Sequence, residues 1–367
     1  MSPSSLSPQT IAEAPATSHF IQELPVLVLM PHSRCNCRCV MCDIWKIRQV
    51  REIAPADLES HLASLRKLKV QWVVFSGGEP LLHSDLPALA RVLRQEGIRT
   101  TLLTAGLTLE RHAQQVAENI DDVIVSLDGP REVHDRIRGV SNAYGRLERG
   151  ICKLRQHWEA IPIDGRCTVQ KGNCRHLRAA VAAALDLGLN SISFLAADMS
   201  SEAFNHALPL ENEKMSEIAL DSADVDALLL EFEGLTSDFP PSIFGNFIRE
   251  TPEKLRRIGM HFRAHLGQTA PVAPRCNAPW VSAVVESDGA VRPCFFHPPI
   301  GNLQTAPLVE VLNSPRAVEF RTQLDVSNNP ICQRCVCSLF LEAGSPDLKH
   351  GDHEAPRGIS PPHPSAN

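Results

Sequence analysis

The fold is decided by an apolar run, Val26-Leu27-Val28-Leu29-Met30, and by the loop after it, Arg34-Cys35-Asn36-Cys37-Arg38-Cys39-Val40-Met41-Cys42-Asp43. The run is short and continuous, as in a strand that is buried on both faces. In parallel β/α folds the chemistry lies on the loops after the carboxyl ends of the strands, and this is the first such loop. Cys35, Cys39 and Cys42 have the spacing C-x3-C-x2-C, and three thiolates on one loop can hold three irons of a [4Fe–4S] cube. The fourth iron is then open to a substrate or cosubstrate.

A zinc ion is the alternative occupant of this loop. Structural zinc usually has four tetrahedral ligands, and Cys37 could supply the fourth. The two sites differ in their chemistry, because a closed zinc site offers no open position.

Outward from this loop, short apolar runs alternate with longer amphipathic stretches. The predicted strands are Val26–Met30, Trp72–Ser76, Thr100–Thr104, Val123–Leu127, Arg166–Gln170 and Ser191–Leu195. The predicted helices are Ala54–Lys67, Asp85–Glu96, Leu109–Ala117, Ala143–His157 and Leu177–Leu187. Six β/α units predict parallel strands with helices outside, fewer than the eight of a closed barrel. The expected fold is an open, partial (β/α)6 barrel, and a doubly wound sheet is the alternative.

The domain boundaries follow from changes in composition. We expect a disordered lead over 1–19, the partial barrel over 20–199 and a helical bridge over 200–270. The segment 271–342 has five cysteines and short strand signals, which predict a small metal-nucleated second domain. The segment 343–367 is rich in Pro, Gly, His and Ser and predicts a disordered tail.

Composition limits the partners and the compartment. The chain has 367 residues, with 36 Lys and Arg against 42 Asp and Glu and a net charge of −6, which argues against nucleic-acid binding by bulk electrostatics. No apolar run is long enough to span a membrane, and residues 1–19 do not have the pattern of a secretory signal. The expected location is the cytoplasm, where the twelve cysteines stay reduced and serve metal ligation or catalysis.

Polar groups and glycines follow three further predicted strands. The second strand leads into Gly77, Gly78 and Glu79, and two glycines allow the backbone to approach a ligand closely. Ser126 and Asp128 alternate at the end of the fourth strand and therefore face the same side. Arg138 and Asn173 follow the fourth and fifth strands, respectively. An Asp or Asn at such a position can also simply cap a turn.

Together these motifs resemble those of the radical S-adenosylmethionine enzymes. In that family the open iron chelates S-adenosylmethionine, an electron from the cluster cleaves the sulfonium, and the resulting 5′-deoxyadenosyl radical abstracts hydrogen from the substrate. The resemblance implies that Gly77, Gly78 and Glu79 meet the amino group of S-adenosylmethionine. It further implies that Ser126 and Asp128 bind the ribose, that Arg138 binds the methionine carboxylate, and that Asn173 lies near the cosubstrate. Met41 stands where many members have an aromatic residue.

The second cysteine group resembles the auxiliary iron–sulfur domain called SPASM, or its shortened twitch form. The specific features are the spacing G-x4-C from Gly289 to Cys294 and the later C-x2-C of Cys332 and Cys335. Five cysteines suffice for one auxiliary [4Fe–4S] cluster. The expected ligands are Cys276, Cys294, Cys332 and Cys335, with Cys337 as a replacement for Cys335, and binding by only three would leave one iron open to substrate. A zinc ribbon is the alternative.

The expected function is hydrogen abstraction from a small molecule, in oxidation, epimerisation or rearrangement during cofactor, tetrapyrrole or natural-product biosynthesis. An electron donor such as flavodoxin or ferredoxin is the implied partner. The first alternative is maturation of a ribosomally made peptide, which is disfavoured by the short stretch before the first strand. A non-catalytic iron–sulfur or zinc-binding protein is the alternative of another class, and it would have no use for an open iron or for Glu79.

Overall fold

The structure is a computed structural model that describes residues 19–240 and 245–342. Nearly all of the predicted disordered lead and the whole predicted tail lie outside the described residues. The strands are β1 (Val26–Leu29), β2 (Trp72–Phe75), β3 (Arg99–Thr104), β4 (Asp122–Ser126), β5 (Ile163–Val169), β6 (Ser191–Ala196), β7 (Ser282–Val285), β8 (Ala290–Arg292) and β9 (Gly301–Asn302). All six predicted strands are present, because strands buried on both faces are apolar along their whole length.

The strands form one open sheet of nine, in the order β6-β5-β4-β3-β2-β1-β7-β8-β9. Strands β1 to β6 are parallel and adjacent in chain order, as in a partial barrel that is not closed. The buried positions of these strands form the core, and Leu27, Val73 and Leu102 are representative. The predicted partial (β/α)6 barrel is confirmed, and the carboxyl ends of its strands meet at one edge.

The C-terminal strands continue the same sheet. β7 pairs in parallel with β1, in the register Val26 with Ser282 through Leu29 with Val285. β8 and β9 then add antiparallel strands. The sequence indicated a second domain but gave no sign of this pairing, because a four-residue apolar run does not name its neighbour in the sheet.

The described helices lie between and after the strands. They are α1 (Pro55–Ser60), α2 (Leu62–Lys67), α3 (Leu86–Gln95), α4 (Leu109–Asn119), α5 (Arg131–Arg138), α6 (Ala143–His157), α7 (Leu177–Asp186), α8 (Asn212–Ile218), α9 (Ser222–Asp238), α10 (Pro252–His265), α11 (Ala278–Val281), α12 (Leu308–Leu312), α13 (Pro315–Gln323) and α14 (Pro330–Gln333). No helix in the described ranges is long and apolar enough to cross a membrane.

One predicted helix is divided in the structure, and one helix was not predicted. The single helix over Ala54–Lys67 is divided at His61, whose φ of −100° and ψ of 1° are not helical. Helix α5 was not predicted, because its buried apolar positions are only Val133 and Ile137 among mostly charged residues. One residue of the sequence does indicate the end of α5. Gly139 follows the helix in the left-handed conformation that favours glycine.

Candidate active site and auxiliary cysteine cluster

The cysteine loop after β1 binds the end of helix α5. The amide of Arg38 donates to the carbonyl oxygen of Arg138 at 2.9 Å, and the amide of Val40 donates to that of Ile137 at 3.0 Å. The last carbonyl groups of a helix have no partner within the helix. The loop therefore supplies the missing donors, which fixes its path beside His134–Gly139.

Two glycines let neighbouring turns approach this loop closely. A Cβ atom on Gly78 would lie 2.1 Å from the carbonyl oxygen of Arg34, and the next amide, of Glu79, donates to that oxygen at 2.9 Å. A Cβ atom on Gly139 would lie 2.4 Å from the carbonyl oxygen of Arg38. Gly77 precedes them after β2, with a φ of 100°. Glycine is required at these contacts because no side chain fits between the two backbones.

A segment after β6 covers the other side of the cysteine loop. The amide of Asp43 donates to the carbonyl oxygen of Phe204 at 2.9 Å, and Asn205 Nδ2 donates to that of Asp43 at 3.0 Å. His206, which is buried, binds the carbonyl oxygen of Met41 through Nε2 at 3.1 Å. Sequence reasoning missed these residues, since polar residues in a bridge carry no local signal of a contact with a distant loop.

The thiols of the loop are gathered and fit an iron–sulfur cluster. The hydrogen bond from the Cys37 thiol lowers the pKa of Cys39, and burial raises the pKa of Cys42 to about 12. The guanidinium of Arg138 also lies 3.6 Å from Cys39 Sγ. Cys35 lies beside them, with its Sγ 3.4 Å from the amide nitrogen of Cys37. The donor set is the thiolate set that iron prefers.

Asp128 and Arg138 form a buried ion pair beside the cysteine loop. Arg138 Nε donates to Asp128 Oδ2 at 2.6 Å, and Asp128 Oδ1 accepts from the amide of Thr168 at 3.2 Å. The amide of Asp128 donates to His134 Nδ1 at 3.3 Å. The two residues for which the sequence suggested separate contacts with the cosubstrate are thus brought together, with Asp128 completely buried.

Glu79 is completely buried at the carboxyl end of β2. Its Oε1 accepts from Thr104 Oγ1 at 2.7 Å and from the amide of Leu81 at 3.1 Å, while Oε2 accepts from the amide of Ala105 at 2.9 Å. Burial raises the pKa of this carboxyl. The donors fix the carboxylate in place and leave it spare acceptor positions.

Asn173 and Ser126 differ in burial, since Asn173 is buried and Ser126 is partly exposed. The Asn173 amide is buried, with Nδ2 donating to the carbonyl oxygens of Asp128 at 3.0 Å and Thr168 at 3.1 Å, and Oδ1 accepting from Gln170. This amide joins the ends of β4 and β5. Ser126 ends β4 and is partly exposed at the same edge.

The five C-terminal cysteines surround one small cavity of about 30 Å³. They are Cys276, Cys294, Cys332, Cys335 and Cys337. Burial raises the pKa of Cys294 to about 11 and that of Cys332 to about 12. Five thiols around one cavity fit a second cluster.

His297 was not predicted and also lines this cavity. It is buried, and its Nε2 lies 3.4 Å from Cys332 Sγ. In the sequence, the one feature that points to His297 is its position three residues after Cys294. The rings of Phe204 and Phe295 stack with their centroids 6.3 Å apart, so the segment that covers the first cysteine loop also contacts the residue after Cys294.

Comparison with known families agrees with this arrangement. The model of the radical SAM superfamily matches residues 29–165, from the end of β1 into β5. The chain belongs to the radical S-adenosylmethionine superfamily. The SPASM model, described as an iron–sulfur cluster-binding domain, matches residues 276–336. This radical SAM enzyme therefore uses a [4Fe–4S] cluster and S-adenosylmethionine and has an auxiliary iron–sulfur domain.

Three curated relatives differ in the extent of their similarity. The Fe-coproporphyrin III synthase of Methanosarcina barkeri is 28% identical over 320 residues, which are 80% of this chain and 76% of the relative. The AdoMet-dependent heme synthase of the same organism is 24% identical over 76% of this chain and 78% of the relative. The PqqA peptide cyclase of Bradyrhizobium diazoefficiens is 28% identical over 45% of this chain and 44% of the relative.

Two solved structures share the fold. The Streptococcus suis SuiB structure with bound S-adenosylmethionine is 15% identical, with a TM-score of 0.62 over 87% of this chain and 73% of SuiB. The anSMEcpe structure with bound AdoMet is 21% identical, with a TM-score of 0.61 over 84% of this chain and 86% of that one. At this identity, the likeness concerns the architecture alone.

Proposed function

We propose that this enzyme abstracts hydrogen from a carboxylated tetrapyrrole. The observation that carries the proposal is the extent of the similarity. The two Methanosarcina barkeri relatives named for coproporphyrin and heme synthesis match at least 76% of this chain, whereas the peptide cyclase matches 45%. A match confined to less than half of the chain can be explained by a shared catalytic core, whereas the two longer matches extend over most of the chain.

The cysteine loop is proposed to hold the catalytic cluster through Cys35, Cys39 and Cys42. When bound there, the cluster and S-adenosylmethionine together supply the 5′-deoxyadenosyl radical. The Cys37 thiol hydrogen-bonds to Cys39 and is not one of the proposed cluster ligands. His206 and the end of α5 hold the loop in position. The segment 20–199 contains this machinery, 200–270 bridges it, and 271–342 is the auxiliary domain in this proposal.

The residues around the loop are proposed to act in two ways. Gly77, Gly78 and Glu79 face the amino group of S-adenosylmethionine, since Glu79 is held rigidly and keeps spare acceptor positions. Ser126 and Asp128 remain the candidates for the ribose. Arg138 and Asn173 are better described as positioning residues, because their polar atoms already bind Asp128, Cys39 and the strand ends.

The auxiliary cluster is proposed to bind through Cys276, Cys294, Cys332 and Cys335, with Cys337 as the alternative to Cys335. A cluster held there would supply an electron acceptor for the substrate radical or a binding position for the substrate. The proposed electron donor of the enzyme is a flavodoxin or ferredoxin. The thiolate ligands require a reducing compartment, and we place the enzyme in the cytoplasm.

Anaerobic reconstitution tests the proposal. The reconstituted enzyme should contain about eight irons per chain, as two [4Fe–4S] clusters require. With dithionite, S-adenosylmethionine and coproporphyrin III or its iron complex, it should form 5′-deoxyadenosine together with a mass change in the tetrapyrrole. Formation of 5′-deoxyadenosine with no change in any tetrapyrrole would contradict the substrate class. Absence of 5′-deoxyadenosine would contradict radical chemistry altogether.

A further inference from the structure

A cavity of about 320 Å³ lies between helix α10, the segment after β6 and residues 333–335 of the C-terminal cysteine region. Its walls include Met199, Arg257, His261, Arg334 and Cys335. Met199 follows β6 at the catalytic edge of the sheet, and Cys335 belongs to the auxiliary cysteine cavity. A molecule bound here therefore touches both parts of the enzyme.

The charge of this cavity is predominantly positive. Arg256, Arg257 and Arg334 line it, and the acidic residue among its lining residues, Glu253, lies 3.8 Å from Arg256. Within the described ranges, Arg257 and Arg334 make no ion pair with a carboxylate. Two guanidinium groups without acidic partners at one cavity match a ligand with carboxylate groups, which guanidinium binds in a bidentate manner.

His261 supplies a buried polar atom without a partner. Its Nε2 is inaccessible to solvent and has no hydrogen-bond partner among the described residues. Burial, with the nearby charges of His265, Arg257 and Arg334, lowers the pKa of His261 to about 4. The imidazole is therefore neutral near pH 7, and its Nε2 can donate or accept one hydrogen bond with a ligand, according to the tautomer. Buried polar groups without partners are rare in folded proteins and call for an explanation.

The remaining wall is apolar. Met199, Met260, Ala264 and Val272 line it, and Met260 and Val272 are both exposed. Thioether and aliphatic groups pack well on the face of an aromatic ring. The cavity thus combines an apolar surface with guanidinium groups, a combination that fits a flat molecule with acidic side chains.

We propose that this cavity binds one carboxylate-bearing edge of the substrate, with Arg257 and Arg334 on its carboxylates and His261 on a polar atom between them. The volume is near the lower end of the range for ligand pockets, so it holds an edge and not a whole macrocycle. The acidic character of the ligand follows from the cavity, whereas its identity as a tetrapyrrole rests on the proposed function.

The test measures binding of coproporphyrin III to the reconstituted, anaerobic enzyme by fluorescence quenching. Arg257→Gln combined with Arg334→Gln should weaken binding at least tenfold, since the variant loses both guanidinium partners of the carboxylates. Arg316→Gln is the matched control, because Arg316 is an exposed arginine on α13, away from the cavity. The tetramethyl ester of coproporphyrin III should bind wild type and the double variant alike. Iron content equal to that of wild type shows that the variants are folded.

The outcomes separate the inference from the proposed function. Equal affinity of wild type and the double variant for coproporphyrin III overturns the inference and leaves the proposed function standing. Arginine-dependent binding without a tetrapyrrole product supports the cavity and overturns the proposed function. If wild type does not bind coproporphyrin III, both are overturned.

Discussion

Arg138 lies between the carboxylate of Asp128 and the thiol of Cys39 in the cysteine loop. Its guanidinium binds Asp128 at 2.6 Å and lies 3.6 Å from Cys39 Sγ. The sequence suggested that Arg138 and Asp128 bind different parts of S-adenosylmethionine. The buried pair shows that each residue is first of all the other's partner, and removal of either one leaves a charge without compensation.

Replacement of Arg138 by Met should therefore destabilise the protein strongly. The expected loss is about 3–5 kcal/mol, because the Asp128 carboxylate remains buried and unpaired. Asp128→Asn together with Arg138→Met should recover much of this loss. Urea unfolding of these two variants and of Asp128→Asn alone, under anaerobic conditions, measures the changes. Additive effects of the two substitutions would show that the pair is not the main interaction of Arg138.

Glu250 makes stability depend on pH. Its Oε2 accepts a hydrogen bond from the amide of Phe194 in the edge strand β6, and burial, opposed by the charges of Lys254 and Arg166, raises its pKa to about 7. A carboxyl with a raised pKa contributes stability that is full below its unfolded-state pKa and is lost as the pH rises through 7.

Glu250→Gln should remove this dependence. As the pH rises from 5 to 8, the free energy of unfolding of the variant should increase relative to that of wild type by up to about 3 kcal/mol, because an amide does not ionise. Urea unfolding at several pH values provides the comparison, and a constant offset between the two proteins does not affect it. A difference that is the same at pH 5 and pH 8 would contradict the assignment.

His297 should tune the auxiliary cluster. Hydrogen bonds to ligand sulfurs raise the reduction potential of iron–sulfur clusters by stabilising the more negative, reduced form. His297→Phe removes the 3.4 Å contact with Cys332 Sγ and should lower the potential of one cluster with no loss of iron. Potentiometric titration followed by electron paramagnetic resonance measures this. An unchanged potential would mean that His297 only fills the cavity.

At the scale of elements, the close approach of the turn after β2 to the cysteine loop is the critical contact. A Cβ atom on Gly78 would lie 2.1 Å from backbone, so Gly78→Ala must move the loop. The iron content should fall from about eight to about four per chain as the catalytic cluster is lost. Gly245→Ala is the control, because a Cβ atom on Gly245 would meet nothing within 4 Å. Full iron content in the Gly78 variant would contradict this view of the loop.

The sequence was sufficient for most elements but not for their contacts. The six strands β1 to β6 were predictable because their burial on both faces appears as continuous apolar runs. Helix α5 was hidden because few of its residues are apolar, although it supplies the carbonyl groups that hold the cysteine loop.

The candidate site was predictable to the extent that its chemistry lies in local motifs. The cysteine spacing and the Gly-Gly-Glu turn are local, and the structure brings them to one edge. The contacts of His206 and Phe204 with the loop join residues far apart in the chain, and no local pattern encodes them. Asn173 illustrates the reverse case, since an amide in a turn is equally suited to a ligand or to the strand ends that it joins here.

For the whole molecule, the continuous sheet means that the barrel and the auxiliary region should unfold together. β7 lies between β1 and β8, so its loss would expose a buried strand. Hydrogen exchange should therefore show similar protection for the amides of Ser282–Val285 and Val26–Leu29. Much faster exchange in β7 would indicate that the auxiliary region opens independently.

The pairing of β1 with β7 also has a consequence during synthesis. The strand that leads into the cysteine loop is made near the beginning of the chain, and its neighbour β7 is made near the end. While the ribosome translates the intervening residues, one edge of β1 remains open, and an open edge attracts other strands. We expect nascent chains of this enzyme to require protection by chaperones until Ser282–Val285 has emerged, and the catalytic cluster to be inserted only afterwards.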